Sequence, residues 1–343
     1  MKLNSNTLNI LVAPLNWGLG HASRCIPLIR QLIKDGNTPI LASDGQALIL
    51  LKQVFPDLTT ITLPSYSISY SRSNTQVWAI LKSLPAIIQA SIQEHRVLKE
   101  IVEKHQIEKI ISDNRFGMWH REVHSIYITH QLMIKMPKGF KFLEKTVWRL
   151  HQWIINQYDA CHIPDYEGVD NLSGDLSHLY PLPKNTRFIG PLSRFKSSNL
   201  DQIAKPLKAY HSIAIISGPE PQRSIFEAEI IAQFKDSRAC ILIIQGKPKN
   251  AEKGKVRVQK LNNIAADIDS VPHLDDVDFI THLLAASKII CRAGYSTIMD
   301  LDAINCLHKA VFIPTPGQTE QEYLADYHHK KREECFKNEL AHG

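Results

Sequence analysis

Short runs of aliphatic and β-branched residues alternate with longer stretches whose apolar positions recur every three or four residues. This is the pattern of strands alternating with amphipathic helices. The first series predicts a strand over Ile10–Ala13 and a helix over Ala22–Asp35, with Ile26, Ile29, Leu32 and Ile33 on one face. A strand over Pro39–Ala42, a helix over Ala47–Val54 and a strand over Leu58–Leu63 follow. Gln76–Lys104 predicts one or two long helices broken at Pro85, where a proline removes a backbone donor. Strands over Ile107–Ser112 and Ile126–Thr129, a helix over Phe142–Gln157 and a strand over Ala160–Ile163 complete the series.

A second series begins with a strand over His211–Ser217, a helix over Ser224–Phe234 and a strand over Ala239–Gln245. After a polar loop carrying Lys247, Lys249, Lys253 and Lys255 come a helix over Phe279–Ala286 and a strand over Lys288–Cys291. A helix over Ser296–Ile304, a strand over Ala310–Ile313 and a charged helix from Glu320 onward end the chain. Such alternation builds parallel sheets covered by helices on both faces. Two series predict two doubly wound, Rossmann-like α/β domains, 1–195 and 205–322, with Gly190–Leu207 as the linker. A C-terminal helix, 323–343, is expected to pack back toward the first domain. Ligands of such sheets bind beyond the carboxyl ends of the strands, so the expected site is the cleft between the domains.

Composition narrows the class. The 343 residues are 44% hydrophobic and 22% charged, which is ordinary for a folded protein and excludes a disordered chain. Six widely spaced cysteines without a CxxC pair fit buried, reduced thiols in a cytosol. Leu8–Leu15 contains Asn9 and Pro14 and reads as a first strand rather than a signal peptide. No run approaches the ~18 apolar residues of a membrane span. The expected location is therefore cytoplasmic. The net charge of +6 lies wholly in residues 1–195, which hold 21 Lys/Arg against 15 Asp/Glu. A basic surface attracts phosphates or anionic lipid.

Three loops carry candidate chemistry. Asn16-Trp17-Gly18-Leu19-Gly20-His21 joins the first strand to the first helix. Gly18 and Gly20 permit a tight turn and close approach of a ligand, and His21 at the helix start could serve as a general base. With Ser23 and Asp44, the same loop also fits a dinucleotide-binding reading in which Asp44 meets a ribose. Arg292-Ala293-Gly294-Tyr295-Ser296-Thr297 again runs from a strand into a helix, whose N-terminus favours an anion. The plain alternative is a Ser/Thr helix cap. Pro314-Thr315-Pro316-Gly317 leads to Glu320 and Gln321, groups suited to sugar hydroxyls, or to a turn with a Thr319–Glu322 capping box.

Arg292-x-Gly294-x-x-Thr297-x-x-Asp300, followed by Pro314 and Glu320-Gln321, resembles the donor-site signature of GT-B glycosyltransferases, most nearly the MurG-like, family 28 type that uses UDP-sugars. Gly18-Leu19-Gly20-His21 resembles that group's Gly-rich loop. The resemblance implies GT-B architecture, two Rossmann-like domains facing across a cleft, with the acceptor on the first and the nucleotide sugar on the second. By position, Gly294, Ser296 and Thr297 would contact the diphosphate, Asp300 the ribose, and Glu320 and Gln321 the sugar. Arg292 would assist with charge. Gly218 and Arg223 would lie across the phosphates, and the backbone of 270–274 would line the base pocket. His21 would be the acceptor base, with Gly18, Gly20, Asp113 and His130 near the acceptor. The first loop departs from the family in carrying Asn16 and Trp17, and Asp300 is shorter than the usual Glu.

Glycosyl transfer must stabilise a departing diphosphate and take a proton from an acceptor hydroxyl. A helix N-terminus and a positioned histidine meet both needs without a metal or cofactor. The Asp276-Val277-Asp278 triplet has the spacing metal-dependent transferases use, but reads as a helix start. The expected reaction is inverting transfer of a sugar, by default N-acetylglucosamine, from a UDP-sugar to a glycan or lipid-linked acceptor. The rival readings are a UDP-sugar epimerase of the same fold, an NAD-dependent oxidoreductase and a non-catalytic nucleotide-sugar sensor. Between Arg115 and Arg149, seven Lys/Arg and two Asp/Glu are interleaved with aromatics. Such a segment can dock on an anionic membrane, at the inner face, or form ordinary core helices with solvated lysines. No nucleic-acid motif accompanies it, so nucleic acid is not an expected partner.

Overall fold

The computed structural model describes residues 7–66, 76–196, 206, 208–237, 239–247, 259–260 and 267–342. Most of the latter half of the predicted linker, and the loop lysines Lys249, Lys253 and Lys255, lie outside the described residues. The chain forms two compact units, Met1–Arg194 and Phe195–Gly343.

In the first unit, β1 (Asn9–Pro14), α1 (Gly20–Lys34), β2 (Thr38–Ser43), α2 (Gly45–Val54) and β3 (Thr60–Thr62) precede the long α3 (Gln76–His105). Then come β4 (Lys109–Asp113), β5 (His124–Ile128), α4 (Glu144–Ile155), β6 (Ala160–Ile163), the short α5 (Asp175–His178) and β7 (Thr186–Phe188). The strands lie in the order β3-β2-β1-β4-β5-β6-β7, all parallel. Alternation along β1 explains the layers. Ile10 and Val12 point to one face, where they meet Cys25, Ile26 and Ile29 of α1. Leu11 and Ala13 point to the other, against Leu98 and Ile101 of α3.

The second unit runs β8 (Ser212–Ile215), α6 (Gln222–Phe234), β9 (Ile241–Ile244), β10 (Gln259–Lys260), β11 (Ile268–Val271) and α7 (Asp276–Ala285). β12 (Lys288–Cys291), α8 (Tyr295–Ala303), β13 (Ala310–Phe312) and α9 (Thr319–His342) follow. Its order is β10-β11-β9-β8-β12-β13, parallel except for the edge pair β10–β11. In α9, Leu324 and His328 are buried, and Arg332 donates to the Ala310 carbonyl at 2.6 Å, which ties this helix to β13 of its own unit.

Both sheets are doubly wound, as the alternation predicts. Two differences have local reasons. α3 passes through Pro85 without a break. β11 was hidden because Asp269 and Ser270 interrupt its apolar run. Asp269 is nevertheless buried there, accepting from Lys208 Nζ at 2.7 Å and the Tyr210 hydroxyl at 2.8 Å. The strand order reverses between β1 and β4, and again between β8 and β12, which places a crevice at the carboxyl ends of each pair.

Candidate active site

The crevice at β1 and β4 gathers the charged groups of the first unit. Pro14 is in register with Asp113, and Leu15 N donates to the Asp113 carbonyl at 2.9 Å, so the Gly-rich loop leaves from beside Asp113. Gly18 turns the loop at φ +81, a conformation that favours glycine. α1 then starts at Gly20, and His21 and Arg24, three residues apart, share one face of its first turn. Both reach the fully buried Asp113 carboxylate. His21 Nδ1 lies 2.7 Å from Oδ1, Arg24 Nε donates to Oδ2 at 2.5 Å, and Arg24 Nη2 also pairs with Oδ1. Burial alone would raise the Asp113 pKa, but Arg24 and His21 outweigh it and hold the acid well below the usual carboxylate range. An ionised carboxylate only accepts, so the hydrogen of this contact is on His21 Nδ1, and Arg24 Nη2 lies 3.0 Å from the same nitrogen. Arg24 Nη1 continues to Nδ1 of the buried His130 at 3.1 Å. Asp113 and His130 are thus both buried and linked to each other through Arg24.

A second charged cluster braces the same strand ends. Arg115 is fully buried. Its guanidinium pairs with Asp44 at the end of β2 and Glu94 of α3, and donates to the carbonyls of Pro14 at 3.0 Å and Pro64 at 3.2 Å. Tyr66 donates to the other Glu94 oxygen at 2.5 Å. Asn16 Nδ2 donates to Asp44 at 3.1 Å, and its Oδ1 accepts from Ala47 N at 3.2 Å. Asp44, the ribose-binding acid of the dinucleotide reading, is therefore nearly buried and engaged in holding Arg115 and the Gly-rich loop.

The second unit repeats the geometry at β8 and β12. Gly294 is the N-cap of α8, with no side-chain cap bond, so the Ser/Thr cap alternative does not apply. Ser296 and Thr297 lie within the first turn, and Asp300 one turn further along. Arg292 is almost fully buried, its guanidinium 4.0 Å above the Phe226 ring. Its Nη1 donates to the carbonyls of Ile313 at 3.3 Å and Pro314 at 2.9 Å, which anchors the loop after β13. In that loop Gln321 Oε1 accepts from Thr315 N, and Glu322 Oε1 from Gly317 N, both at 2.9 Å. Glu320 and Gln321 stand in the first turn of α9. After β8, Gly218 adopts φ +105 with open space around it. Arg223 pairs with Glu220, whose carboxylate also accepts from Ser224 N at 3.2 Å at the start of α6.

The glycosyltransferase family 28 C-terminal domain model matches residues 221–339, a span that contains both later loops. The chain is a glycosyltransferase with a GT-B fold. It is similar over 330 residues, at 20% identity, to an uncharacterized glycosyltransferase of Methanosarcina acetivorans, covering 92% of this chain and 82% of that one. Among solved structures, the calicheamicin glycosyltransferase CalG4 superposes with a TM-score of 0.58 at 11% identity, covering 94% of this chain and 83% of that one. The spinosyn rhamnosyltransferase SpnG, complexed with thymidine diphosphate, superposes at 0.52 with 12% identity, covering 93% and 84%.

Within this glycosyltransferase, Asp276 and Asp278 occupy the first turn of α7, which Asp275 caps by accepting from Asp278 N at 2.8 Å. The carbonyls of Val271 and Pro272 accept from Gln245 N and Lys247 N, joining the end of β11 to the loop after β9. Sequence reasoning did not single out Arg24 or the buried Glu94 and Arg115, nor the bracing of the Gly-rich loop by Asn16. The available signal for Arg24 was its helical spacing from His21.

Proposed function

We propose that this glycosyltransferase moves a sugar from a UDP-sugar to an acceptor hydroxyl with inversion, without a metal or further cofactor. N-acetylglucosamine is the first sugar to test. The observation that carries the reading is the 2.7 Å contact between His21 Nδ1 and Asp113. It leaves Nε2 as the ring nitrogen to act as general base and gives the ring a carboxylate to balance the proton it gains. The acceptor proton passes to Nε2, the acceptor oxygen bonds to the anomeric carbon, and the bond to the diphosphate oxygen breaks. The α8 N-terminus, whose N-cap Gly294 makes no side-chain cap bond, supports the leaving diphosphate through its backbone N–H groups and dipole. Ser296, Thr297 and Gly294 are the contacts on that side, with Asp300 toward the ribose and Glu320 and Gln321 toward the sugar. The acceptor is a glycan or a lipid-linked glycan handled in the cytoplasm.

The spinosyn enzyme was solved with thymidine diphosphate, so the test compares nucleotides. Thermal protection by UDP, thymidine diphosphate and NAD is measured first, then turnover of UDP-sugars with product analysis. Protection by UDP, with an inverted product and turnover unaffected by chelators, is the expected result. Protection by NAD alone, or a product in which only the donor sugar is altered, overturns the reading.

A further inference from the structure

The basic and aromatic segment between Arg115 and Arg149 separates into two parts once folded. The first part is interior. Arg115 is fully buried, Phe116 and Trp119 pack against the Tyr127–Tyr158 cluster, and Lys135 pairs with Asp175 at 2.8 Å. The second part, the turn before α4 and α4 itself, is surface. Phe142, Leu150 and Trp153 are 76%, 59% and 62% exposed. Helical spacing places them beside a column of Lys141, Lys145 and Arg149, each four residues from the next and all exposed. Among the described residues, none of these three cations forms an ion pair, and Glu144 spends its Oε1 on Met136 N at 3.0 Å.

Exposure here does not reflect a detached helix. The opposite side of α4 buries His151 and Ile155, and His151 Nδ1 donates to the Leu132 carbonyl at 3.2 Å. The helix is fixed to its unit and still presents large apolar side chains outward. From Phe142 to Trp153 the strip runs roughly 16 Å at 1.5 Å per residue.

We propose that this strip is a docking surface for an anionic lipid bilayer, lying in the plane of the interface. The apolar column enters the headgroup boundary while the cations meet lipid phosphates. The charge pattern selects this occupant over a second copy of the chain, since a two-fold pairing would bring Lys141, Lys145 and Arg149 against themselves. Among the described residues, no helix is long and apolar enough to cross a membrane, so docking would be peripheral. The inference depends on neither the donor nor the role of His21.

Co-sedimentation of the full chain with phosphatidylcholine vesicles, with and without phosphatidylglycerol, tests it. Binding is expected only with phosphatidylglycerol and is expected to weaken as salt rises. Replacing Lys141, Lys145 and Arg149 together by Gln should weaken it about a hundredfold, at about fivefold per charge. Phe142→Ser with Leu150→Ser should also lower it, while circular dichroism shows an intact fold. Quenching of tryptophan fluorescence by brominated lipid should fall in Trp153→Phe. Wild-type chain that stays in the supernatant overturns the proposal. So does binding unchanged by these substitutions, or a dimer that the same substitutions dissociate.

Discussion

His21 Nδ1 and the buried Asp113 carboxylate stand 2.7 Å apart, and the same carboxylate is gripped from its other side by Arg24. The imidazole is thus oriented by a group that is itself immobilised. His21→Ala should lower turnover by about 10²–10⁴-fold while UDP affinity, measured by calorimetry, stays within a factor of about two. Asp113→Asn should cost a comparable factor, because the amide no longer demands a hydrogen on Nδ1. It should also destabilise the fold by about 3–5 kcal/mol, since Arg24 loses its buried partner.

Arg115 is the common partner of two carboxylates from β2 and α3. Arg115→Met leaves Asp44 and Glu94 facing each other's surroundings without a cation, and should destabilise the chain by about 3–5 kcal/mol in urea unfolding. Arg115→Lys should recover only part of this, because an ammonium cannot reproduce the forked contacts. Adding Glu94→Gln to Arg115→Met should restore some of the loss.

His151 predicts a pH dependence. It is wholly enclosed, and burial lowers its pKa from the ordinary 6.5 to about 4. The unfolded chain takes up this proton near pH 6.5 and the folded chain only near 4, so the unfolded state binds more protons in between. The stabilising contribution is full above about pH 6.5 and is lost as pH falls toward 4, by up to about 3 kcal/mol. Urea unfolding at about pH 7.5 and about pH 4.5 should show a smaller pH effect in His151→Gln than in the wild type. Asp113, held below the usual carboxylate range, acts in a lower window, its contribution lost only as pH falls through that depressed value.

Gly117 packs where no side chain fits. A Cβ there would lie 2.2 Å from the Ser91 carbonyl oxygen and 2.9 Å from Glu94 Cβ. Gly117→Ala must push α3 away from the loop after β4, at a cost of about 1–3 kcal/mol. Thermal unfolding should show the loss, and turnover should fall with it if the displacement reaches Arg115.

The alternation of strands and helices was legible because parallel sheets bury both faces and leave near-continuous aliphatic runs such as Ile10–Ala13 and Ile241–Ile244. β11 escaped because a buried aspartate reads as a loop residue until Lys208 and Tyr210 are seen to satisfy it. β7 escaped because Thr186-Arg187-Phe188 is too short and polar to signal a strand. In the site, His21 and Asp113 were legible as polar groups beside strand ends, but their contact spans 92 positions and depends on strand register. Arg24 and Arg115 look in sequence like solvated cations. Only tertiary structure supplies the carboxylates that let a guanidinium be buried.

Gly294 has one more consequence. Its φ is −78, and a Cβ would find nothing nearer than Thr297 Oγ1 at 3.9 Å. Neither backbone conformation nor crowding calls for glycine at this position. A serine or aspartate would fit and would strengthen α8 by roughly a few tenths of a kcal/mol through a cap of its own. A chain that forgoes that gain places no side chain of its own at the N-cap of α8. Robustness and receptivity are in opposition at this single residue, and a more heat-tolerant variant made by capping the helix should be a poorer host for phosphate.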